Sequence, residues 1–272
     1  MRTRTITKAG ETFFVVDHER YRSFWDWYET DAWEPETAAV FAQFLRPGTR
    51  YVDLGAWIGS TVLLAAPLVS CVVCVEPDPL AFAVLSENLT LNPDTAAKTV
   101  AVQAAAGPED GTVLLSSAGE GGDSNSSVVR PSDAGARWET EQLSFATLLE
   151  RAGLAAADFV KIDVEGAEYD LVPALLSRLE GASPTLYVAL HPNLLVEKRS
   201  VAARFSSSLR ALRANHRFLR ALLTYRHHYV FDEQTRTFRD VRIRNILRVA
   251  FPLPARASFL IGACVFTNEA TG

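Results

Sequence analysis

Three carboxylates fall within six residues in Val160-Lys161-Ile162-Asp163-Val164-Glu165-Gly166-Ala167-Glu168, where an apolar run meets the next helical pattern. Open α/β sheets bind their ligands beyond the carboxyl ends of the strands, so Asp163 and Glu165 are expected at a cleft. Glu168, in the first helical turn, has a plainer role open to it: satisfying backbone donors and the helix dipole. A cleft-facing Asp163 needs a partner, and His191, which ends the apolar run Thr185–Leu190, is the best candidate. An unperturbed imidazole titrates near about 6.5, which suits drawing a proton from a hydroxyl nucleophile. The catalytic candidates are therefore His191 as base, Asp163 as its orienting partner, and Glu165 as a group for substrate hydroxyls. The plain alternative is a histidine satisfied near a strand end before Pro192. Asp163 and His191 offer too few oxygens for a hard cation, so no metal is expected.

A second stretch binds rather than reacts. In Tyr51-Val52-Asp53-Leu54-Gly55-Ala56-Trp57-Ile58-Gly59-Ser60 an acid closes an apolar strand, two glycines make a tight turn, and Ser60-Thr61-Val62 opens a helix. Glycine lets a backbone approach a bound nucleoside closely. Twenty-one residues after Gly55 comes Glu76, at the end of Cys71–Val75, with the spacing of a carboxylate that accepts ribose hydroxyls. A dinucleotide would need Gly-x-Gly-x-x-Gly and a helix N-terminus free for its pyrophosphate. An acid at Asp53 would repel that group but suits the positive amino and sulfonium groups of S-adenosylmethionine. Cofactor contacts are accordingly expected from Asp53, Gly55, Ala56, Gly59, Ser60, Glu76 and Pro77, with Asp163 reaching the amino group.

These residues require a scaffold, and strand and helix patterns do alternate along the chain. Strands are expected at residues 51–53, 71–76, 100–107, 111–115, 159–164, 185–190 and near 258–266, with a hairpin around Val230–Val241. That order predicts a doubly wound, mainly parallel sheet closed by a late antiparallel strand. The glycine- and serine-rich run Ser116–Ser127 reads as a mobile loop. Residues 11–49 concentrate aromatics, and Pro35 with Glu34 and Glu36 suits a helix start. Packing explains most of these rings. The sharper expectation is a lid over residues 1–48, with Trp25, Trp27 and Trp33 lining a substrate pocket and the binding domain filling residues 49–272.

With 272 residues, 48% of them hydrophobic, the chain can bury a full core. A net charge of -5 argues against unspecific nucleic-acid binding, although Lys198–Arg248 carries thirteen basic residues against three acidic ones. That run could face solvent or a carrier-tethered acceptor. Three cysteines give no disulfide framework. No leader is read in Met1–Gly10, and the apolar run Val62–Val75 is too short for a bilayer, so the expected location is cytoplasmic, without a membrane. A homodimer is left open.

Lys161–Glu168 resembles the signature of FkbM-type S-adenosylmethionine-dependent methyltransferases. The likeness extends to Trp33-Glu34-Pro35-Glu36-Thr37, Val52–Ala56, Val75–Pro79 and the strand ending in His191-Pro192. It implies a class I, Rossmann-like fold with a seven-stranded sheet, cofactor contacts from Glu34 and Thr37, and methylation of a hydroxyl on a sugar or secondary metabolite. Trp57 departs from the pattern, which commonly has a small polar residue there. Transfer to nitrogen or to a macromolecule is the alternative within enzymes, and a non-catalytic nucleoside-binding module the alternative outside them. The segment Asp163-Val164-Glu165-Gly166 lacks the Asn/Asp-Pro-Pro-Tyr/Phe pattern that serves exocyclic amines.

Overall fold

The computed structural model describes residues 2–30, 33–117, 119–123, 135–179, 183–191, 194–195, 201–232, 235, 237–241, 243 and 262–269. The chain opens with a hairpin of β1 (Thr3–Lys8) and β2 (Glu11–Val16). Their turn residues Ala9 and Gly10 have φ of 51° and 89°, the left-handed pair that matches strand twist in a two-residue hairpin. The polar–apolar alternation around Ile6 fits a strand, and the arm expected as a lid over residues 1–48 begins as a β-hairpin. Helices α1 (Arg22–Glu29) and α2 (Pro35–Phe44) follow.

Next come β3 (Arg50–Leu54), α3 (Ser60–Ala65), β4 (Cys71–Val75), α4 (Pro79–Leu91), the short α5 (Pro93–Ala96) and β5 (Thr99–Val102). Asp78 caps α4 by accepting from Leu80 N and Ala81 N, and Pro79 sits in its first turn. A small side sheet joins β6 (Ala105–Ala106), β7 (Gly111–Ser116) and β8 (Arg137–Leu143). The chain returns through α6 (Phe145–Arg151), β9 (Phe159–Ile162), α7 (Glu168–Ser177), β10 (Thr185–Leu190) and α8 (Val201–Leu222). It closes with β11 (His227–Asp232), β12 (Thr237–Asp240) and β13 (Gly262–Thr267).

Among the described residues the main sheet has the order β12-β11-β13-β10-β9-β3-β4-β5. The five strands from β10 to β5 are parallel, and the other three are antiparallel to their neighbours. It has eight strands rather than seven because β12 pairs onto β11 and extends the edge. Residues 258–261 of the expected last strand, and residues 198–200, 233–234, 236, 242 and 244–248 of the basic run, lie outside the described residues.

Alternation divides the side chains between two cores. Val52, Leu54, Val160 and Ile162 pack on one face with Leu171, Leu175 and Phe218 from α7 and α8. Tyr51, Phe159 and Tyr187 pack on the other beneath Val40 and Phe41 of α2 and Leu64 of α3. A third cluster joins Phe13, Tyr21, Phe24, Trp25 and Tyr28 of the arm to Ile58, Leu63 and Val84. No described helix is long and apolar enough to cross a membrane.

Candidate active site

Chain order reverses between β3 and β9, and at such a switch point the strand ends leave a crevice. A cavity of about 290 Å³ fills it, lined by the turn after β3 (Gly55, Ala56, Trp57, Ser60), by Glu76 and Pro77 after β4, by Asp163 and Glu165 after β9, and by His191 after β10. A second chamber of about 190 Å³ adjoins it, sharing Glu34, Lys161, Asp163 and His191 and adding Glu36 and Tyr187. Among the described residues four non-glycines have positive φ, and three of them, Glu34 (42°), Trp57 (48°) and Glu165 (49°), line the larger cavity. Each such conformation costs about 1–3 kcal/mol, and packing on the surrounding turns must hold it.

At the β4 end, Glu76 accepts from Trp57 N at 2.8 Å and Asp78 N at 2.7 Å. Burial nevertheless pushes its carboxyl up to about 8, against the pull of those two backbone donors. The side chain of Trp57, with two from the arm, also ties down the segment that crosses this end. Its indole donates to Gly122 O at 3.0 Å, Tyr21 Oη donates to the same carbonyl at 2.8 Å, and Arg20 donates to Gly121 O at 2.6 Å. Gly122 N in turn donates to Asp78 Oδ2 at 2.6 Å. The Ser116–Ser127 run, read as a mobile loop, is thus anchored at Gly121–Gly122; residues 118 and 124–127 lie outside the described residues. Its glycines reflect close approach: a Cβ on Gly122 would meet Tyr21 Oη at 2.8 Å. Asp123, next along, lines the cavity.

Beneath the floor lies a charge cluster that the sequence reading only half resolved. Asp53 is 0% exposed and takes a hydrogen bond from Thr61 Oγ1 at 2.5 Å. Lys161 Nζ stands 3.5 Å from Asp53 Oδ1 and 3.2 Å from Asp163 Oδ2. Burial lifts the Asp53 carboxyl above its ordinary range, while Lys161 and Thr61 oppose that rise. Burial alone would lower Lys161, but Asp53, Asp163 and Glu34 outweigh it and hold the ammonium above its usual range. Lys161 and Thr61 line the cavity and Asp53 does not, so Asp53 corrects from direct cofactor contact to support of the floor. Lys161 was missed as a site residue. Its signal was an ammonium inside the buried strand Val160–Ile162, which requires carboxylate partners.

Other expected contacts sort by geometry. Ala56, Ser60, Glu76, Pro77 and Glu34 line the cavity, and Glu34 is pushed up to about 7 by burial and by nearby Asp163. Thr37 lies behind Glu34, donating to its Oε2 at 3.1 Å and meeting Tyr187 Oη at 2.7 Å. Gly55 lines the cavity, yet a Cβ there would meet Asp163 O at 1.8 Å. Its smallness serves the apposition of β3 and β9 rather than space for a ligand, which corrects the expectation. Gly59 likewise starts α3 at φ 88°, with Leu85 Cδ1 2.6 Å from where a Cβ would stand.

Of the three tryptophans expected around the substrate, Trp33 lines the cavity. Trp25 is 1% exposed and packs edge-on against Phe13, Phe24 and Tyr28, so it is corrected to a core residue of the arm. Trp27 is 58% exposed, stacks on Trp33 at 6.4 Å, and does not line the cavity.

The opposite end gathers Asp163, Glu165 and His191. His191 Nε2 lies 3.8 Å from Asp163 Oδ1 and 3.7 Å from Glu165 Oε1, while Nδ1 lies 3.4 Å from Glu168 Oε1. Glu168 is fully buried and takes His191 N at 2.7 Å and Gly166 N at 2.8 Å, so it joins the start of α7 to the end of β10. Burial alone would lower His191, but Glu168, Asp163 and Glu165 outweigh it and hold the imidazole at about 9. Glu165 is pushed up to about 7 by burial, with His191 opposing. Asp163, Glu165 and His191 also present one metal-ligating atom each, all within 4.8 Å of one another.

No curated protein matches the chain. Among solved structures it is similar to a precorrin-6y C5,15-methyltransferase from Geobacter metallireducens GS-15, at 12% identity over 86% of each chain and a TM-score of 0.39. It is similar to a methyltransferase FkbM from Methylobacillus flagellatus KT at 18% identity, covering 64% of this chain and 45% of that one, with a TM-score of 0.37. Trm5b from Pyrococcus abyssi shares 12% identity over 87% of this chain and 53% of that one, at a TM-score of 0.40. The family described as "Methyltransferase FkbM domain" matches residues 53–232, which run from the acid closing β3 to the end of β11. With that span including the ends of β3, β4, β9 and β10 around the cavity, the chain belongs to the FkbM methyltransferase family and is an S-adenosylmethionine-dependent enzyme of the class I fold.

Proposed function

We propose that the chain binds S-adenosylmethionine across the ends of β3 and β4 and methylates a hydroxyl group of a small molecule held at Asp163, Glu165 and His191. The observation that carries this reading is a single cavity joining the two ends. The residues fit the cofactor chemically. Glu76 offers acceptor lone pairs for ribose hydroxyls, and Ala105, Ala106 and Leu115 give an apolar wall beyond Pro77 for a purine. Glu34 and Asp163 offer carboxylates to a cationic amino acid group. S-adenosylmethionine supplies an electrophilic methyl group on a positively charged sulfur.

The remaining work falls to the chain. Trp33, Trp57 and Asp123, the last held in place by the anchored Gly121–Gly122 segment, line the cavity and would screen it from water. Lys161 holds Asp163 by one oxygen and leaves the other toward His191. The acceptor's hydroxyl proton has to leave at this end, and holding that oxygen in line supplies several kcal/mol of rate enhancement. Glu34, Glu76, Asp123, Asp163 and Glu165 line the cavity together with Lys161 and His191, a set of hydrogen-bonding groups that suits hydroxyl-rich acceptors such as a sugar or secondary metabolite. On this reading residues 1–48 form the arm that closes the site and residues 49–272 the catalytic domain.

The test is direct. Calorimetry should show saturable S-adenosylmethionine binding, and deuterated-methyl cofactor incubated with a panel of hydroxylated small molecules should yield a mass-labelled methyl ether. Label found only on nitrogen, or only on added RNA, would reject the acceptor class.

A further inference from the structure

We propose that the exposed face of α8 beside the cleft is a docking surface for an acidic helix on a partner protein. Among the described residues, Arg210, Arg213, Arg217 and Arg220 are all exposed, and their spacing of three, four and three residues puts them in one row along the helix. The opposite face, with Ala211, Ala214, Phe218, Leu219 and Leu222, is buried in the core. Packing therefore fixes the row outward. Its place relative to the site follows from topology. β11 is parallel to β10, because each is antiparallel to β13, so α8 runs in the same direction as α7, back from the cleft end of the sheet. Arg217 donates to Asp170 at 2.7 Å and the Phe218 ring lies 5.1 Å from that of Tyr169, which sets the last turns of α8 beside the first turn of α7. Arg210 comes seven residues earlier, roughly 10 Å farther toward the cleft end.

Charge decides the partner's chemistry. Lys198–Arg248 carries thirteen basic residues against three acidic ones, and the rest of the chain carries fourteen against twenty-nine. Arginine offers a planar fork that matches a carboxylate, and Arg217 already takes one, Asp170, with both side chains exposed. The row itself spans only about 15 Å. A nucleic acid or an anionic bilayer would run past it onto the acidic remainder of the chain and be repelled there, at a screening length of about 8–10 Å. A helix with carboxylates on one face covers the row and little else. Exposed charge pairs are individually weak, so the contact forms fast and is lost with salt, as suits a partner that docks transiently beside the cavity.

Docking does not depend on the methyl-transfer reading, and the full-length chain, isotope-labelled at its arginine nitrogens, tests it. The probe is a synthetic helical peptide with glutamates at the same spacing of three, four and three. Its control has the same composition with the glutamates spread around the helix. At low salt the one-faced peptide should shift the Nε–H resonances of Arg213 and Arg220, and by fluorescence anisotropy it should bind at least about fivefold more tightly than the control. Arg213→Glu combined with Arg220→Glu should weaken it by about tenfold or more. The melting temperature and S-adenosylmethionine affinity of that double variant should be unchanged, since both side chains lie in solvent. Equal binding of the two peptides, or unchanged affinity in the double variant, overturns the surface. Tighter binding of duplex RNA or of phosphatidylserine vesicles that the double variant loses also overturns it, by assigning the row to a polyanion. A concentration-dependent dimer in sedimentation that the double variant loses overturns it in favour of a second copy of the chain.

Discussion

Glu76 is the residue whose environment makes the sharpest demand. Its carboxyl sits at about 8 because it is buried, so in the free protein it is largely neutral at pH 7. Ribose hydroxyls donate to the ionised form, and binding therefore releases a proton. S-adenosylmethionine affinity should rise from about pH 6.5 to about pH 8.5, and Glu76→Gln should flatten that dependence. Calorimetry in two buffers of different ionisation enthalpy checks it. The stability sign runs the other way. With the folded pKa above the unfolded value of 4.5, the native state holds the extra proton, so this contribution is present below 4.5 and lost as pH rises through about 8. Glu76→Ala should weaken cofactor binding by about 1.5–3 kcal/mol, the scale of a charged acceptor. Lys161 makes a second prediction. Lys161→Met leaves Asp53 and Asp163 facing each other without their shared cation, and should cost about 3–5 kcal/mol in chemical denaturation. Asp53→Asn, which keeps a partner for Thr61, should cost less.

At the scale of elements, the β3–β9 apposition and the arm are the tests. Gly55→Ala places a methyl group where Asp163 O already stands and strains a φ of 87°. It should destabilise by about 3 kcal/mol or more, as overpacking against backbone does. Gly10→Ala has a similar φ of 89° but open space, and should lower the melting temperature far less. A chain beginning at Trp33 should melt early or aggregate, because removal of the arm uncovers Ile58, Leu63 and Val84. Survival of a stable, soluble truncated protein would show that the arm is a detachable lid. Tyr21→Phe removes one of the donors holding Gly122 O and should speed amide exchange at Gly121 and Gly122, with about 1 kcal/mol of lost stability.

For the whole molecule, the groups at the strand ends set ligand choice: Asp163 and the ionised Glu76 would face the pyrophosphate of a dinucleotide. NAD, with its anionic pyrophosphate, should give no saturable binding in a calorimeter that detects S-adenosylmethionine. The alternation of strands and helices, the strand-end acids and the late antiparallel strand were legible because they depend on period and on residues close in sequence. Asp163 and Glu165 were legible as a pair for the same reason, and His191 as the end of its strand. The hairpin of β1 and β2 could have been read from its alternation, and Lys161 from its place within an apolar strand. Strand order was not readable, since it depends on which edges pair across long separations. Nor were the depth of Asp53, the true neighbour of Gly55, the core position of Trp25 or the docking of Gly121–Gly122. Sequence by itself determined the chemistry available at each strand end, because side-chain type and strand periodicity are local properties. Only the tertiary structure decided which of those groups share a cavity, because the β3–β9 crossing and the left-handed turns at Glu34, Trp57 and Glu165 are held by packing between distant segments.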